Sequence, residues 1–463
     1  MNGLWEQIRA THRDLSPTAE RFLDHVLREP EAGRRMDYRE AADRSEWVRL
    51  STYRLQPWPV FLGLEKRRQI EHATLEMLRL VRGIPERIFD RDARRIWEFY
   101  GWGSELHVAF LLEPPDGFAG SLARCDFIDD GAGLRCMEVN MTAFLGGWQL
   151  RFWDRACLEA PSIVSFLRQE GIDPVHRDPW HAAFSHVVRD VQEKGLAGDG
   201  VLNVALVTAA EVAEMADSLV ELNELYTAVL ESTGLSLSGR LFVCSYAGDL
   251  APKRGALFHG DAQIHAVVEY TNDLTPQEVY RCFKAETLGL YNGPLTALLG
   301  DKRNLALLSQ FADSDRFDRE EREFINSHIP WSREVVDGKT RFAGETVSLL
   351  DFALAHRERL VLKAAQGVGG KGVHIGSATP QDEWERRLRA AAGSKGWLLQ
   401  ELVRSRPYLG QDAAGPAPHD VVWGTFGFGS SYGGAFLRML PSGGVPGVIN
   451  AARGATEGFV FEV

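Results

Sequence analysis

The chain has 463 residues, of which 44% are hydrophobic and 25% charged, so it is too apolar for a disordered protein and long enough for two or three domains or one large enzyme. Its 64 acidic side chains outnumber the 52 basic ones and give a net charge of -12, which argues against nucleic acid as the main partner and favours small substrates. Five cysteines without a C-x-x-C pair indicate buried thiols rather than a disulfide framework or zinc site. The lack of an apolar leader or long apolar run predicts a cytoplasmic protein with no membrane partner.

The first part of the chain, residues 1–105, is predicted to be a helical N-terminal segment. Apolar residues recur at helical spacing over 70–80 and again at Ile96, Phe99 and Tyr100. The pattern changes in residues 106–200, a part that we predict to be rich in strands. Strands are expected at 107–112, 123–128 and 134–139, and the turn at 129–133 predicts that the last two form a β-hairpin.

The next part, residues 201–290, has the pattern of a parallel βαβ unit. A predicted strand at 201–208, an amphipathic helix at 211–232 and a strand at 240–244 follow one another, and a further strand is expected at 264–270. In the last part, residues 291–463, the acidic stretch 312–323 is predicted to be a surface segment. Strands are expected at 397–403 and 434–439. The fold class is therefore α/β (α+β), with a Rossmann-like βαβ module.

The most informative motif is a glycine-rich loop between two short apolar runs, within 362–375. Its glycines allow backbone N–H groups to converge on a phosphate, and Lys363 at its entrance adds a positive charge. A P-loop would require Ser or Thr after Gly370-Lys371 and then a helix. A dinucleotide-binding fold would also continue into a helix after the loop. A protein kinase would have H-R-D and D-F-G motifs downstream of the loop. None of these follows, so we predict a flap of another kind over nucleotide phosphates.

A second motif is the pair Glu138 and Asn140. Residues two apart in a strand face the same side, so the two side chains can present a carboxylate and an amide oxygen to one hard cation, for which Mg²⁺ is the natural choice. Taken alone, the pair is better explained as the solvated face of an edge strand.

The order of these motifs along the chain resembles that of the ATP-grasp ligases. Glu138-Val139-Asn140 comes first, Lys302 and Lys363 with its glycine loop follow, and the strand at 397–403 and Arg438 come later, ahead of a glycine-rich segment at 443–454. Because the metal motif precedes both lysines, the chain looks like the circularly permuted branch that includes glutathione synthetases and glutathionylspermidine synthetase-like proteins. The resemblance covers roughly 120–150 and 290–463.

The resemblance implies a binding site for ATP and Mg²⁺, with the βαβ module as the part that precedes the ATP-grasp fold. Glu138 and Asn140 would hold the metal. The implied nucleotide contacts are Lys302, Lys363, Gln366, Gly367, Gly369, Gly370, Gly372, Gln400, Glu401, Leu402 and Val403. The chain departs from the family pattern at Ala364 and Gln366, where the family has proline and an acidic residue.

The resemblance also implies the residues that act on the substrates. Arg438 would stabilise the transferred phosphoryl group, and Arg124, beside Asp126, would bind the carboxylate substrate. Asn450 and Arg453 are further candidates for substrate contacts. Taken singly, Lys302 also fits an ordinary surface lysine and Arg438 a structural ion pair.

The activity implied by the resemblance is that of an ADP-forming carboxylate–amine ligase. ATP would convert the carboxylate of an amino acid or small peptide to an acyl phosphate, and an amine would then displace phosphate to form an amide, as in the biosynthesis of a specialised metabolite. Two alternatives stay open: a phosphotransferase that stops after phosphoryl transfer, and an inactive nucleotide-binding protein. The sequence leaves the oligomeric state open, a homodimer included.

Overall fold

A computed structural model describes most of the chain, namely residues 2–28, 54–114, 121–141, 145–198, 200–208, 216–270, 275–367, 369–443 and 448–463. Some predicted features fall outside these ranges: residues 29–53 of the N-terminal segment, 211–215 of the predicted helix, Val368 of the glycine loop and 444–447 of the last glycine-rich segment.

The helices within the described ranges occur along the whole chain and include most of the described residues of its N-terminal part. In chain order they are α1 (Asn2–Leu15), α2 (Pro17–Arg28), α3 (Leu64–Arg82), α4 (Ile84–Arg87), α5 (Ala93–Tyr100), α6 (Glu105–Leu112), α7 (Asp154–Leu158), α8 (Pro161–Glu170), α9 (Pro179–Glu193), α10 (Ala216–Ser232), α11 (Tyr246–Asp249), α12 (Gln277–Lys284), α13 (Thr296–Leu299), α14 (Arg303–Phe311), α15 (Arg319–His328), α16 (Leu349–Ala355) and α17 (Gln381–Ala392). The helical prediction for 70–80 and for Ile96 to Tyr100 is confirmed by α3 and α5.

The strands form several separate sheets. In chain order they are β1 (Val60–Leu62), β2 (Leu122–Asp129), β3 (Leu134–Asn140), β4 (Val204–Val207), β5 (Leu241–Cys244), β6 (Leu250–Lys253), β7 (Ala256–His259), β8 (Ala262–Ile264), β9 (Ala266–Glu269), β10 (Gly289–Tyr291), β11 (Ser332–Glu334), β12 (Lys339–Phe342), β13 (Glu345–Ser348), β14 (Leu360–Ala364), β15 (Val373–Ile375), β16 (Trp397–Glu401), β17 (Tyr408–Gln411), β18 (Pro416–Phe428), β19 (Ser431–Pro441), β20 (Thr456–Gly458) and β21 (Val460–Glu462). With the helices, they give a mixed α/β fold.

The main sheet is antiparallel, in the order β20-β19-β18-β2-β3, and β17 pairs with β18. The predicted hairpin is confirmed by β2 and β3. One face of this sheet is apolar, with Phe127, Trp423 and Leu437 directly opposite one another and fully buried. Helix α3 packs on this face, where the Thr74 hydroxyl donates a hydrogen bond to Thr425 Oγ1 at 2.7 Å. The opposite face is therefore left to form a site.

A second antiparallel sheet, in the order β11-β16-β14-β15, carries the glycine loop. Strands β14 and β15 are the two ends of that loop, which confirms the predicted strand–loop–strand arrangement. This sheet has a small apolar core of its own around Trp384, separate from the large core of the rest of the protein. The glycine loop is thus attached to its own packed unit.

The βαβ prediction is also confirmed, because β4 and β5 are parallel and α10 connects them. They belong to a four-stranded parallel sheet in the order β10-β9-β4-β5. The predicted strand 264–270 is in fact split: β8 belongs to a small antiparallel sheet and β9 to the parallel one. Between them, His265 Nδ1 accepts a hydrogen bond from the backbone N–H of Asn203, which occupies the ring with a structural contact.

One local prediction is wrong and a second is incomplete. Residues 107–112 form helix α6 instead of a strand, because the Ser104 hydroxyl caps the helix by accepting a hydrogen bond from the His107 N–H. The spacing of apolar residues in such a short apolar run does not distinguish a strand from a helix. The stretch 312–323 is not simply a surface segment. It buries Ala312, Phe317 and Glu321, and the reciprocal hydrogen bonds between Asp318 and Glu321 begin helix α15.

Glu321 is expected to make a pH-dependent contribution to stability. Burial alone would raise its pKa, but hydrogen bonds from Arg87 and Arg79 and from the Asp318 N–H lower the pKa from 4.5 to about 2. Since the pKa is lower in the folded state, the stabilisation is complete above pH 4.5 and is lost as the pH falls toward 2. Glu321→Gln keeps the capping geometry and should cost about 2 kcal/mol at pH 7.

Urea unfolding of the Glu321→Gln variant and the unmodified protein between pH 7 and pH 4 measures this contribution. The difference in unfolding free energy should be constant down to about pH 5 and should narrow below it. Glu323→Gln on the same helix is the matched control, because Glu323 is 64% exposed and its ion pair with Arg319 is on the surface. A difference that widens toward acid would contradict the prediction.

Other expectations from the sequence concern cysteines and membrane spans. All five cysteines are free and buried, as predicted. In the part of the chain that the structure describes, no helix is both long enough and apolar enough to cross a bilayer.

Candidate functional site

A cleft of about 830 Å³ lies between the polar face of the main sheet and the sheet that bears the glycine loop. Both sheets and the segment after β19 contribute to its wall. The predicted site residues that line it are Arg124, Asp126, Glu138, Asn140, Lys302, Lys363, Gly367, Gly369, Gly370, Leu402, Val403, Arg438 and Asn450.

The floor of the cleft is built by strand register. Asp126 lies directly opposite Glu138 and Arg124 opposite Asn140, so the four side chains share one face of β2 and β3. A β-bulge in β3 leaves Met137 as an extra residue between Cys136 and Glu138. The Met137 carbonyl is thereby available to accept a hydrogen bond from Lys363 Nζ at 3.2 Å, which connects the two sheets.

Asp126 is the centre of the charged cluster on the floor. Its carboxylate accepts two hydrogen bonds from the Arg124 guanidinium, at 2.8 and 3.1 Å, and lies 2.7 Å from Arg438 Nη2. Asn140 Nδ2 donates to the same carboxylate at 3.2 Å. Burial would raise the pKa of Asp126, but the two guanidinium groups hold it at about 2. The carboxylate is therefore ionised at neutral pH.

Arg438 has hydrogen-bonding capacity that the protein does not use. Its side chain is buried, yet among the described residues Nε has no hydrogen-bond acceptor, and Nη2 meets Asp126 without the geometry of a hydrogen bond. The Phe436 ring fixes the position of both arginines, because the guanidinium carbons of Arg124 and Arg438 lie 5.6 and 5.8 Å from its centre. Gly424 is required beside that ring, since a Cβ there would lie 2.2 Å from Phe436 Cε1. A buried, incompletely bonded guanidinium is suited to an anionic ligand.

Two buried lysines form the side of the cleft opposite this floor. Lys302 Nζ donates to the Gly367 carbonyl at 2.7 Å and lies 3.1 Å from Glu138 Oε1. Lys363 Nζ donates to the side-chain oxygen of Gln400 as well as to Met137. Burial and the nearby Lys302 charge lower the pKa of Lys363 to about 8, although Glu138 acts in the opposite direction. Lys363 is thus mostly protonated at neutral pH and can attract a polyanion.

The glycine loop lies over the lysines in a conformation that requires glycine. Gly370 and Gly372 have φ values of 74° and 71°. A Cβ at Gly370 would lie 2.8 Å from Val448 Cγ1, and one at Gly372 would lie 2.7 Å from the Ala364 Cβ. The loop therefore meets the segment after β19 at the mouth of the cleft.

Five predicted site residues do not line the cleft in the described part of the structure. Gln366 is exposed, Gly372 faces Ala364, and Arg453 reaches the Gly370 carbonyl at 3.4 Å from outside. The backbone of Gln400 pairs with its neighbouring strands, and Glu401 donates its N–H to Trp331 while its carboxylate pairs with Arg359. Gln400 instead positions the Lys363 ammonium, a role that the sequence pattern did not indicate.

Apolar residues form the end of the cleft beyond the lysines. Leu402 and Val403 follow β16, and Val361, Val373 and Ile375 flank the glycine loop. The Leu402 N–H already donates to the Arg359 carbonyl at 2.7 Å. This end of the cleft is suited to a flat apolar group such as a nucleobase.

Glu457 is a cleft residue that the sequence analysis missed. It is directly opposite Arg438 in the pairing of β20 with β19, and its Oε2 accepts a hydrogen bond from Gln149 Nε2 at 2.7 Å. Burial raises the pKa of Glu457 to about 7, although Gln149 and the charges of Arg438 and Arg124 oppose the shift. The available sequence signal was weak, because Glu457 is only one of two glutamates, with Glu462, in the mostly apolar end of the chain.

A comparison of this chain with known protein families and with curated proteins finds no match.

Proposed function

We propose that this protein is an ADP-forming ligase that uses Mg²⁺ and ATP to join a carboxylate to an amine. The observation that supports the proposal most is the convergence in one cleft of two buried lysines, the carboxylate–amide pair Glu138 and Asn140, and the incompletely bonded Arg438. These groups come from segments far apart in the sequence. The apolar end of the cleft would take the base of ATP, and the two lysines in its middle would take the phosphates. The charged floor would take the reacting acid.

The residues fit the triphosphate of ATP. Lys302 and Lys363 are both less than one-tenth exposed, so their charges act with little screening by water. Apart from Glu138, which lies 3.1 Å from Lys302, their present partners are the neutral Gly367 and Met137 carbonyls and the Gln400 amide, which phosphate oxygens can replace. The glycine loop above them would cover the phosphates and exclude water.

The residues also fit Mg²⁺. Within the described residues, no group of three His, Cys, Asp or Glu side chains is arranged to hold a metal by itself. Mg²⁺ in nucleotide sites is commonly held by one or two protein oxygens together with phosphates and water. Glu138 and the amide oxygen of Asn140 would supply these protein ligands, and Lys302 would exchange its contact with Glu138 for one with phosphate. When bound, the ion neutralises charge on the phosphates during transfer.

The chemistry requires two steps. The substrate carboxylate attacks the terminal phosphorus of ATP, and ADP departs; the lysines and Arg438 stabilise the charge on the transferred phosphoryl group. An amine then attacks the resulting acyl phosphate, and phosphate leaves. Arg124 would orient the acid, and the buried floor would position the two substrates without a covalent bond to the protein.

The test is Mg²⁺-dependent ADP release in the presence of each of a panel of amino acids and of glutathione, with hydroxylamine added to trap an acyl phosphate as a hydroxamate. We expect ADP release and hydroxamate formation to depend on the same acid, and an amide to form when an amine replaces hydroxylamine. A phosphorylated product that hydroxylamine does not consume would favour the phosphotransferase. ATP binding without any turnover would favour an inactive nucleotide-binding protein and would overturn the proposal.

A further inference from the structure

We infer that Glu457 is the general base of the amide-forming step and provides the binding site for the ammonium group of the amine substrate. This inference rests on the proposed ligase function but concerns a residue that the sequence motifs do not include. It follows from the position of Glu457 in the cleft, from the partners of the other cleft carboxylates and from the chemistry of an amine substrate.

The position is the first argument. Glu457 and Arg438 are a directly opposed cross-strand pair, so their side chains project from the same face of the main sheet, and both line the cleft. Arg438 is the group expected beside the transferred phosphoryl. A base one strand further along the sheet lies where the second substrate would approach the activated acid.

The second argument comes from the other carboxylates. Asp126 forms ion pairs with two arginines, and Glu138 lies 3.1 Å from Lys302. The described partner of Glu457 is the neutral amide of Gln149, which binds only Oε2. Asp420 also lines the cleft with a neutral partner, Ser442, but it is opposite Leu440 rather than Arg438. Glu457 is therefore the carboxylate beside Arg438 that remains for a cation.

The chemistry is the third argument. An aliphatic amine is an ammonium ion at neutral pH and cannot attack a carbonyl until it loses a proton. An ordinary carboxylate is a weak base for this purpose, whereas one that titrates near the working pH both binds the ammonium and accepts its proton. Burial raises the pKa of Glu457 to about 7, even though the charges of Arg438 and Arg124 act in the opposite direction.

The proposed step balances as follows. The ammonium gives one proton to Glu457 Oε1, leaving a neutral amine and a neutral carboxyl group. The nitrogen lone pair forms the C–N bond while the C–O bond to the phosphoryl group breaks, and that electron pair stays on the phosphate oxygen. The second N–H proton leaves with the phosphate, so an amide and hydrogen phosphate are formed.

Glu457→Gln tests this role when two nucleophiles are compared with the same activated acid. Hydroxylamine is largely unprotonated at neutral pH and does not need the first deprotonation, whereas n-propylamine does. We expect the variant to lower amide formation from n-propylamine about 100-fold or more and to leave hydroxamate formation nearly unchanged. Asp420→Asn is the matched control and should leave the ratio of the two products unchanged.

The pH dependence provides a second measurement that does not need the Glu457 variant to fold. In the unmodified protein, the rate of amide formation should increase with pH as Glu457 loses its proton, with a midpoint near pH 7. Gln149→Leu removes a hydrogen bond that favours the carboxylate, so it should raise the Glu457 pKa and move that midpoint to higher pH. A midpoint that does not move would overturn the inference.

The outcomes separate this inference from the proposed function. If the unmodified protein forms neither hydroxamate nor amide, the ligase function fails and the inference fails with it. If both products form in the unmodified protein but fall together in Glu457→Gln, or if neither falls, the ligase function stands and Glu457 is not the base.

Discussion

Replacing Lys363 by methionine is expected to lower ADP release about 10²-fold to 10³-fold, the loss typical of removing one buried electrostatic contact to a transition state. Methionine is unbranched and only one atom shorter than lysine, and it removes the charge. Lys363 is the buried cation that connects the bulge of β3, through the Met137 carbonyl, to Gln400 of the glycine-loop sheet. The variant should therefore lose affinity for ATP as well as turnover, and equilibrium binding of a fluorescent ATP analogue measures the first part separately.

Lys339→Met is the matched control for this substitution. Lys339 is exposed on β12, in the same part of the chain, and outside the cleft. It should bind ATP and release ADP as the unmodified protein does. Unchanged ADP release by Lys363→Met, with a folded protein, would remove the main support for a polyphosphate site in the cleft.

Trp384→Ala is expected to have the largest effect on stability, a loss of about 3–5 kcal/mol from the unit that bears the glycine loop. The Trp384 side chain is fully buried in the small core beneath β14 and β16, and its Nε1 donates to the Ala353 carbonyl at 3.0 Å. A small core has few other side chains to close the cavity. The loss should therefore be local.

Amide hydrogen exchange can distinguish local from global loss. Protection should fall in β14 and β16 and stay unchanged in β4 and β5 of the parallel sheet, which belong to the large core. Arg386→Ala on the same helix is the control, since the Arg386 side chain is 75% exposed and its removal should change stability by less than about 0.5 kcal/mol. A uniform fall in protection across all sheets would contradict the prediction of a separate unit.

The features that were predicted correctly have local signals in the sequence. The hairpin of β2 and β3 has a turn between two apolar runs. In the βαβ unit, the spacing of apolar residues changes from that of a strand to that of a helix and back again. The glycine loop requires glycine at positions such as Gly370, where a Cβ would contact Val448. These patterns reflect neighbours in the chain. They therefore indicate the elements without the arrangement of the sheets.

The features that were missed depend on contacts between distant segments. Glu457 becomes a cleft residue only through the pairing of β20 with β19 and through Gln149, which is 308 positions earlier in the chain. The bulge at Met137 becomes visible only when β2 and β3 are in register. The helix at 107–112 was missed for another reason, because its apolar residues have no helical period and its cap at Ser104 is a single hydrogen bond.

The pairing of β2 with β18 has a consequence for the order in which the molecule folds. Cys125 and Thr425 are neighbours in this sheet although 300 positions separate them, and every residue of β2 is buried in the folded protein. On the ribosome, the backbone groups along one edge of β2 therefore have no strand partner until most of the chain has been synthesised. Because Arg438 and Glu457 come later still in the chain, the nascent protein can form its parallel sheet long before it acquires a complete cleft.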